Sequence, residues 1–148
     1  MEFRSEGQRV TYEQVRGLME ELFGDFTLRF DDSPVIRLVM GSAVVDVRVL
    51  PLDGVGAVVQ VRAVVVTGAK IRGDLLEYLL RENGRMPFGA FSLSAADEIV
   101  FEHGIVGPGC DSTQLYEAVM AVSTTADAQD NAIVARWGGQ RAVDRMGG

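Results

Sequence analysis

One cysteine, Cys110, and one histidine, His103, are all that the chain has of those two residue types. A lone cysteine excludes an internal disulfide, and nothing else in the sequence marks an oxidising compartment. One histidine and one cysteine do not make a structural zinc site. Any Ser–His–Asp or Cys–His arrangement would have to use His103, and no GxSxG elbow accompanies it. Positive charge is also short: 14 Lys and Arg stand against 21 Asp and Glu, for a net charge of -7. That balance argues against nucleic acid and against anionic membrane surfaces, both of which call for clustered basic residues. No apolar run approaches the roughly 20 residues needed to span a bilayer. The N-terminal stretch has no apolar segment of the signal-peptide kind, so the expected location is cytoplasmic. Phosphate loops are missing too. Gly54-x-Gly56 leads into a strand, and Gly107-Pro108-Gly109 precedes a helix but is followed by Asp111 and has no Lys. The DAQDN stretch at 127–131 lacks the glycine and terminal glutamate of a calcium loop. No cofactor or metal is expected.

What is present is a chain of 148 residues, 47% hydrophobic and 24% charged. Such a chain is globular and large enough for one real core. The first helix is expected from Thr11, whose spacing to Gln14 suits a capping box. Val15, Leu18, Met19, Leu22 and Phe23 then form one apolar stripe, and Gly24 ends it. Residues 1–10 are expected to be loose. Phe26 to Phe30 alternates as a short strand would.

The next two runs, VIRLVM and AVVDVRVL, are joined by Gly41-Ser42, which suits a tight hairpin. A two-residue loop places Met40 opposite Ala43, Leu38 opposite Val45 and Ile36 opposite Val47, all apolar and on one face. Arg37 then falls opposite Asp46 on the other face. A further strand over 57–66 buries Ala57, Val59, Val61, Ala63 and Val65. A five-residue loop at 52–56 sets Arg62 beside Asp46, which would place that carboxylate between two arginines.

A second helix is expected from about Ile71 to Asn83. Its apolar sector is wider than one sheet contact requires, the pattern of a helix buried on two sides. Pro87 prevents its continuation, and Phe88–Ser94 and Glu98–Val106 read as a hairpin with Phe91 and Leu93 facing Ile99 and Phe101. Asp111 or Ser112 caps a third helix running to Trp137, with Asp127–Asn131 as a point of bending. Residues 140–148 are expected to be a flexible tail.

The order of helix, strands, helix, PFGAFSL hairpin and long helix resembles the YbjN-like family and the related type III secretion chaperones of the CesT kind. The text that carries the likeness is LLRENGRMPFGAFSLSAADEIVFEHGIVG, followed by an N-capped helix, and VARWGG near the end. It resembles the actinobacterial branch of YbjN-type peptide-binding chaperones and covers roughly residues 11–139, which would form a single domain. The resemblance implies an α+β fold. Its antiparallel twisted sheet would have about five to six strands with three helices, in the order α-β-β-β-α-β-β-α. It also implies a homodimer that binds a polypeptide client without catalysis. The dimer contact would be carried by helix two and the strand after it, and maps onto Leu75, Leu76, Leu79, Leu80, Phe88 and Phe91.

Two readings of function follow. The first is a dimeric, non-enzymatic peptide-binding chaperone or adaptor, motivated by the over-wide apolar sector of helix two. The second is a small-molecule-binding domain with a pocket between the sheet and the third helix, near His103, Cys110 and Tyr116. Taken singly, these residues have plainer roles. His103 shares a strand face with Phe101 and Ile105, as a partly buried, hydrogen-bonded histidine would. Cys110 lies just before a helix start, where a thiolate is stabilised, but a small apolar residue beside Pro108 is the simpler role.

Overall fold

Alternation of apolar and polar residues over the middle of the chain is realised as one antiparallel sheet. A computed structural model describes residues 1–142 and 144. Helix α1 (Glu6–Phe23) is followed by strands β1 (Thr27–Phe30), β2 (Val35–Met40), β3 (Ala43–Leu52) and β4 (Gly56–Thr67). Helix α2 (Gly73–Asn83) leads to β5 (Ala90–Leu93) and β6 (Ile99–Val106), then to helix α3 (Ser112–Trp137) and the short β7 (Gln140–Arg141). The strand order is β1-β2-β3-β4-β6-β5, with β7 paired to β4.

The β2–β3 hairpin has the expected register: Met40 lies opposite Ala43, Leu38 opposite Val45, Ile36 opposite Val47, and Arg37 opposite Asp46. Asp46 also lies opposite Arg62, but pairing continues to Leu52 and Gly56, which leaves a three-residue loop, 53–55, where five residues were expected. The turn closes with Gly54 at φ 80° and Gly56 at φ 105°, values that glycine adopts without a Cβ clash. Val45, Val47 and Val49 of β3 and Ala57, Val59, Val61, Ala63 and Val65 of β4 form one buried face. On the opposite face Arg29, Arg37, Asp46, Arg62 and Glu102 line up across five strands. Arg37 holds Asp46 with two bonds of 2.8 and 3.0 Å. Arg62 turns the other way, to Glu102 at 3.7 Å. Asp46 is therefore bonded to one arginine and not two, because Arg62 has a second carboxylate opposite it on β6.

The helices cover the apolar face. α1 contributes Tyr12, Val15, Met19 and Phe23, and α3 contributes Leu115, Val119, Val122, Ile133 and Trp137, all in one core cluster with the sheet. α1 starts at Glu6, five residues before the expected Thr11. Its N-cap is Ser5, whose side chain accepts from the Gln8 N–H at 3.1 Å. Gln8 is itself buried. Its amide donates to the Val49 carbonyl at 2.9 Å and accepts from the Arg4 N–H at 2.7 Å, so the segment expected to be loose is held against β3. Thr11 is buried inside the helix.

α2 starts at Gly73 and not at Ile71, since Arg72 is extended at φ -127°. Four strands precede α2 where the expected order had three, because FTLRF pairs with β2. Of the two expected caps of α3, Asp111 is the one used, and it forms a capping box with Gln114. It runs unbroken through 127–131, where Asp127 accepts from Ser42 of the β2–β3 turn. Of the expected tail, Gln140 and Arg141 pair with Thr67 and Val66, while 143 and 145–148 lie outside the described residues. Among the described residues no helix is long and apolar enough to cross a membrane.

Two stability predictions follow from this packing. Leu75 is fully buried and Leu76, its neighbour, is 40% exposed. Leu75→Ala should lower the unfolding free energy by about 2–5 kcal/mol and Leu76→Ala by under ~1 kcal/mol, read from urea melts. The buried Tyr12 hydroxyl has no partner among the described residues. Tyr12→Phe should therefore be neutral or stabilise by up to about 1 kcal/mol in the same melts.

Candidate functional site

Two surfaces with exposed apolar residues bear on the expected sites. The first is on α2, whose wide apolar sector divides three ways. Leu75 and Leu79 are buried in the protomer's own core. Tyr78 faces α3, where its hydroxyl donates to Gln129 Oε1 at 2.5 Å and its ring lies 5.3 Å from that of Trp137. Leu76 and Leu80, one turn apart, face outward, and Leu80 is 71% exposed. Of the six residues mapped to a dimer contact, Leu75, Leu79 and Phe91 are thus taken up inside the protomer. Leu76, Leu80 and Phe88 remain at the surface, the last 47% exposed.

The second surface is a groove of about 380 Å³ between β6 and the start of α3, lined by Phe88, His103, Ile105, Val106, Glu117 and Ala118 among others. It exists because β5 is shorter than β6. Ala90 pairs with Glu102, and β5 reaches no further along β6. At Gly89 the chain turns away with φ 80°, and a Cβ there would sit 2.5 Å from the Phe101 ring. Only glycine fits that turn. The outer side of β5 is closed by Asn83 at the end of α2. Its side chain accepts from the Phe91 N–H at 2.6 Å and donates to the Phe91 carbonyl at 3.2 Å. Nothing in the sequence pattern distinguishes this bridge from an ordinary helix-stop asparagine, since the pairing is made only when α2 docks beside β5.

His103 lines the groove half-buried. Its Nδ1 accepts from the Gly89 N–H at 3.2 Å, and its ring meets Phe88 edge-on at 5.7 Å. An acceptor nitrogen facing a backbone donor makes His103 a brace for the turn at 87–89. Cys110 and Tyr116, grouped with His103 on sequence grounds, do not line the groove. Cys110 is buried, with its carbonyl accepting from Gln14 of α1 at 3.1 Å. Tyr116 stacks on Phe23 at 5.9 Å. α3 rises past the groove from its base, so successive residues of its first turns face different neighbours. Proximity in sequence did not bring these three side chains together. The helix start does not stabilise a thiolate at Cys110: burial pushes the thiol up to about 11, and the nearby Asp111 carboxylate adds to the effect. Among the described residues there is no group of three or more His, Cys, Asp or Glu that could hold a metal ion.

A family model described as T3SS (YopN, CesT) and YbjN peptide-binding chaperone 1 matches residues 10–145. No curated protein matches the chain. Among solved structures, the ExsC–ExsE complex aligns with a TM-score of 0.62 at 14% identity, covering 82% of this chain and 95% of that one. The HopA1–SchA chaperone–effector complex aligns at 0.61 and 11% identity, covering 86% and 98%. The Yersinia pestis type III secretion chaperone SycH, in complex with a stable fragment of YscM2, aligns at 0.57 and 14% identity, covering 80% and 98%. At these identities the likeness establishes the fold: three helices on a mostly antiparallel sheet, as the sequence resemblance implied.

The buried thiol gives a pH prediction. Its ordinary ionisation is at 9.0 and the folded value about 11, so the native state holds the proton more tightly than the unfolded chain. Stability from this group is fully present below pH 9 and is lost as pH rises through about 11. The size is about 2–3 kcal/mol. Cys110→Ala should flatten that part of the stability profile in urea melts taken between pH 8 and 11, relative to the unsubstituted protein.

Proposed function

The chain belongs to the family of T3SS (YopN, CesT) and YbjN peptide-binding chaperones, and from that premise we propose that it acts as a cytoplasmic homodimer that binds an extended polypeptide client and catalyses no reaction. The observation that carries this reading is the outward-facing apolar pair Leu76 and Leu80 on a helix that has already filled its own core with Leu75 and Leu79. A small domain that leaves such a pair in water gains by covering it with a copy of itself or with a partner. Phe88, on the loop between α2 and β5, adds to that apolar surface.

The family description supports a peptide client, and the structural neighbours were each solved as complexes with a second protein. The competing small-molecule reading has less to stand on, since only His103 of its three residues lines the groove.

Sedimentation equilibrium at micromolar concentration tests the assembly. A dimer is expected, with Leu80→Asp and Leu76→Asp shifting it to monomer while the circular dichroism stays native. A monomeric unsubstituted chain would sink the dimer. An array of extended peptides, probed with the purified protein, tests the client separately: sequence-selective retention is expected, and no retention on any peptide would overturn the chaperone reading.

A further inference from the structure

Asn83 stands in for a neighbouring strand at the outer edge of β5. Its Oδ1 accepts from the Phe91 N–H at 2.6 Å, and its Nδ2 donates to the Phe91 carbonyl at 3.2 Å. A side-chain amide offers one acceptor and one donor group, as a strand backbone does. A carboxylate accepts twice and donates nothing. The bridge therefore needs the amide. It also reaches the core, since Phe91 is buried and its ring meets Phe101 edge-on at 5.0 Å.

The residue after Asn83 is a glycine. The chain has two asparagines, and the other, Asn131, is followed by Ala132. Asn–Gly is the pair in which an asparagine most readily loses its amide, because glycine has no Cβ to shield the attacking backbone nitrogen. The Gly84 nitrogen gives its proton to solvent base and attacks Asn83 Cγ. The new N–Cγ bond closes a five-membered imide, and the Cγ–Nδ2 bond breaks, so that Nδ2 leaves as ammonia with a proton from water. A second water opens the ring, at Cγ to give aspartate or at the backbone carbonyl carbon to give isoaspartate. The folded chain opposes this attack at both atoms. Asn83 is the last residue of α2, and closing the ring requires its peptide plane to leave the helical setting. The Gly84 N–H is held by the Leu80 carbonyl at 3.3 Å, and the Asn83 amide is held at both ends by Phe91.

We propose that Asn83–Gly84 is a deamidation site that the docking of α2 on β5 keeps closed, and that deamidation there unfastens the two elements for good. Detachment of the end of α2 frees both reacting atoms at once. The product does not rebuild the bridge. In aspartate, an oxygen without a proton replaces Nδ2 opposite the Phe91 carbonyl oxygen. Its charge also sits at the C-terminal end of a helix, where the dipole opposes it. Isoaspartate adds a methylene to the main chain between α2 and the loop that carries Phe88. Each opening of this junction thus risks a permanent mark on it, and the chain keeps a chemical record of its own partial unfolding. Neither a second copy nor a client takes part in this chemistry.

Peptide mapping by mass spectrometry tests this on the unsubstituted protein, kept in mildly alkaline buffer with and without urea. Residue 83 should gain the mass of an amide-to-acid change at least about tenfold faster in urea, where its two hydrogen bonds to Phe91 are already broken. Asp53–Gly54, in the exposed turn after β3, can close the same imide by losing water, but its mass is unchanged on reopening. Protein deamidated in urea and returned to buffer should exchange the Phe91 amide hydrogen faster than the untreated chain. Asn83→Asp carries the product's charge without the ageing step. It should unfold at lower urea than the unsubstituted chain at neutral pH. That gap should close below about pH 4, where a protonated carboxyl again offers a donor and an acceptor. Asn83→Ala lacks the bridge at every pH, and its gap should persist. Equal rates at residue 83 with and without urea, no deamidation in urea, unchanged exchange at Phe91, or a pH-independent gap for Asn83→Asp would each overturn the proposal. If neither variant folds, the rates and the Phe91 exchange decide alone. None of these outcomes alters what sedimentation or the peptide array reports on the chaperone reading.

Discussion

Strand register is the constraint on which the rest of the molecule depends. A strand has two faces, and a slip of one residue exchanges them. Here the apolar set from Ile36 to Val65 and the row Arg37–Asp46–Arg62–Glu102 demand the same register independently. A slip would bury the charges and expose the valines at once. With one face wholly apolar, α1 and α3 have a single place to dock. Their stripes and the sheet close into one core cluster.

That one-sided arrangement explains where apolar surface is left over. α2 lies near the margin of the sheet, beside β5 and against α3 through Tyr78. A helix in that position has a third side with nothing to cover it, and Leu76 and Leu80 occupy it. The same margin holds the unpaired end of β6. Asn83 seals the outer edge of β5, whereas Gly89 leads the chain away before β6 is covered. The two exposed features lie at one edge of the sheet because α2 and the loop after it form that edge.

Much of this was legible in the residues. The period-two alternation and the Gly41-Ser42 loop sufficed for the β2–β3 register, and the Asp111-Ser112 pair narrowed the cap of α3 to two residues, of which Asp111 is used. Other positions misled for physical reasons. Thr11 has capping chemistry, but Ser5 has it too, and the buried bonds of Gln8 to Val49 and Arg4 favour the longer helix. Asp46 had two arginines in register. Which one it bonds depended on Glu102, far along the chain and lying across from Arg62. For the candidate sites, the leucines of α2 were visible as an over-wide sector, but not which of them the core would claim. His103, Cys110 and Tyr116 looked like a group, and helix geometry separated them.

Local pattern therefore determined the elements, their facing and most strand partners, because alternation, helical stripes and turn chemistry act between residues close in sequence or directly paired. The way α2 divides its leucines between core and solvent, the Asn83 bridge, the burial that keeps Cys110 protonated and the open end of β6 were settled only by the tertiary structure. Each depends on how far one element reaches along another and on contacts between residues distant in sequence, which local pattern does not carry.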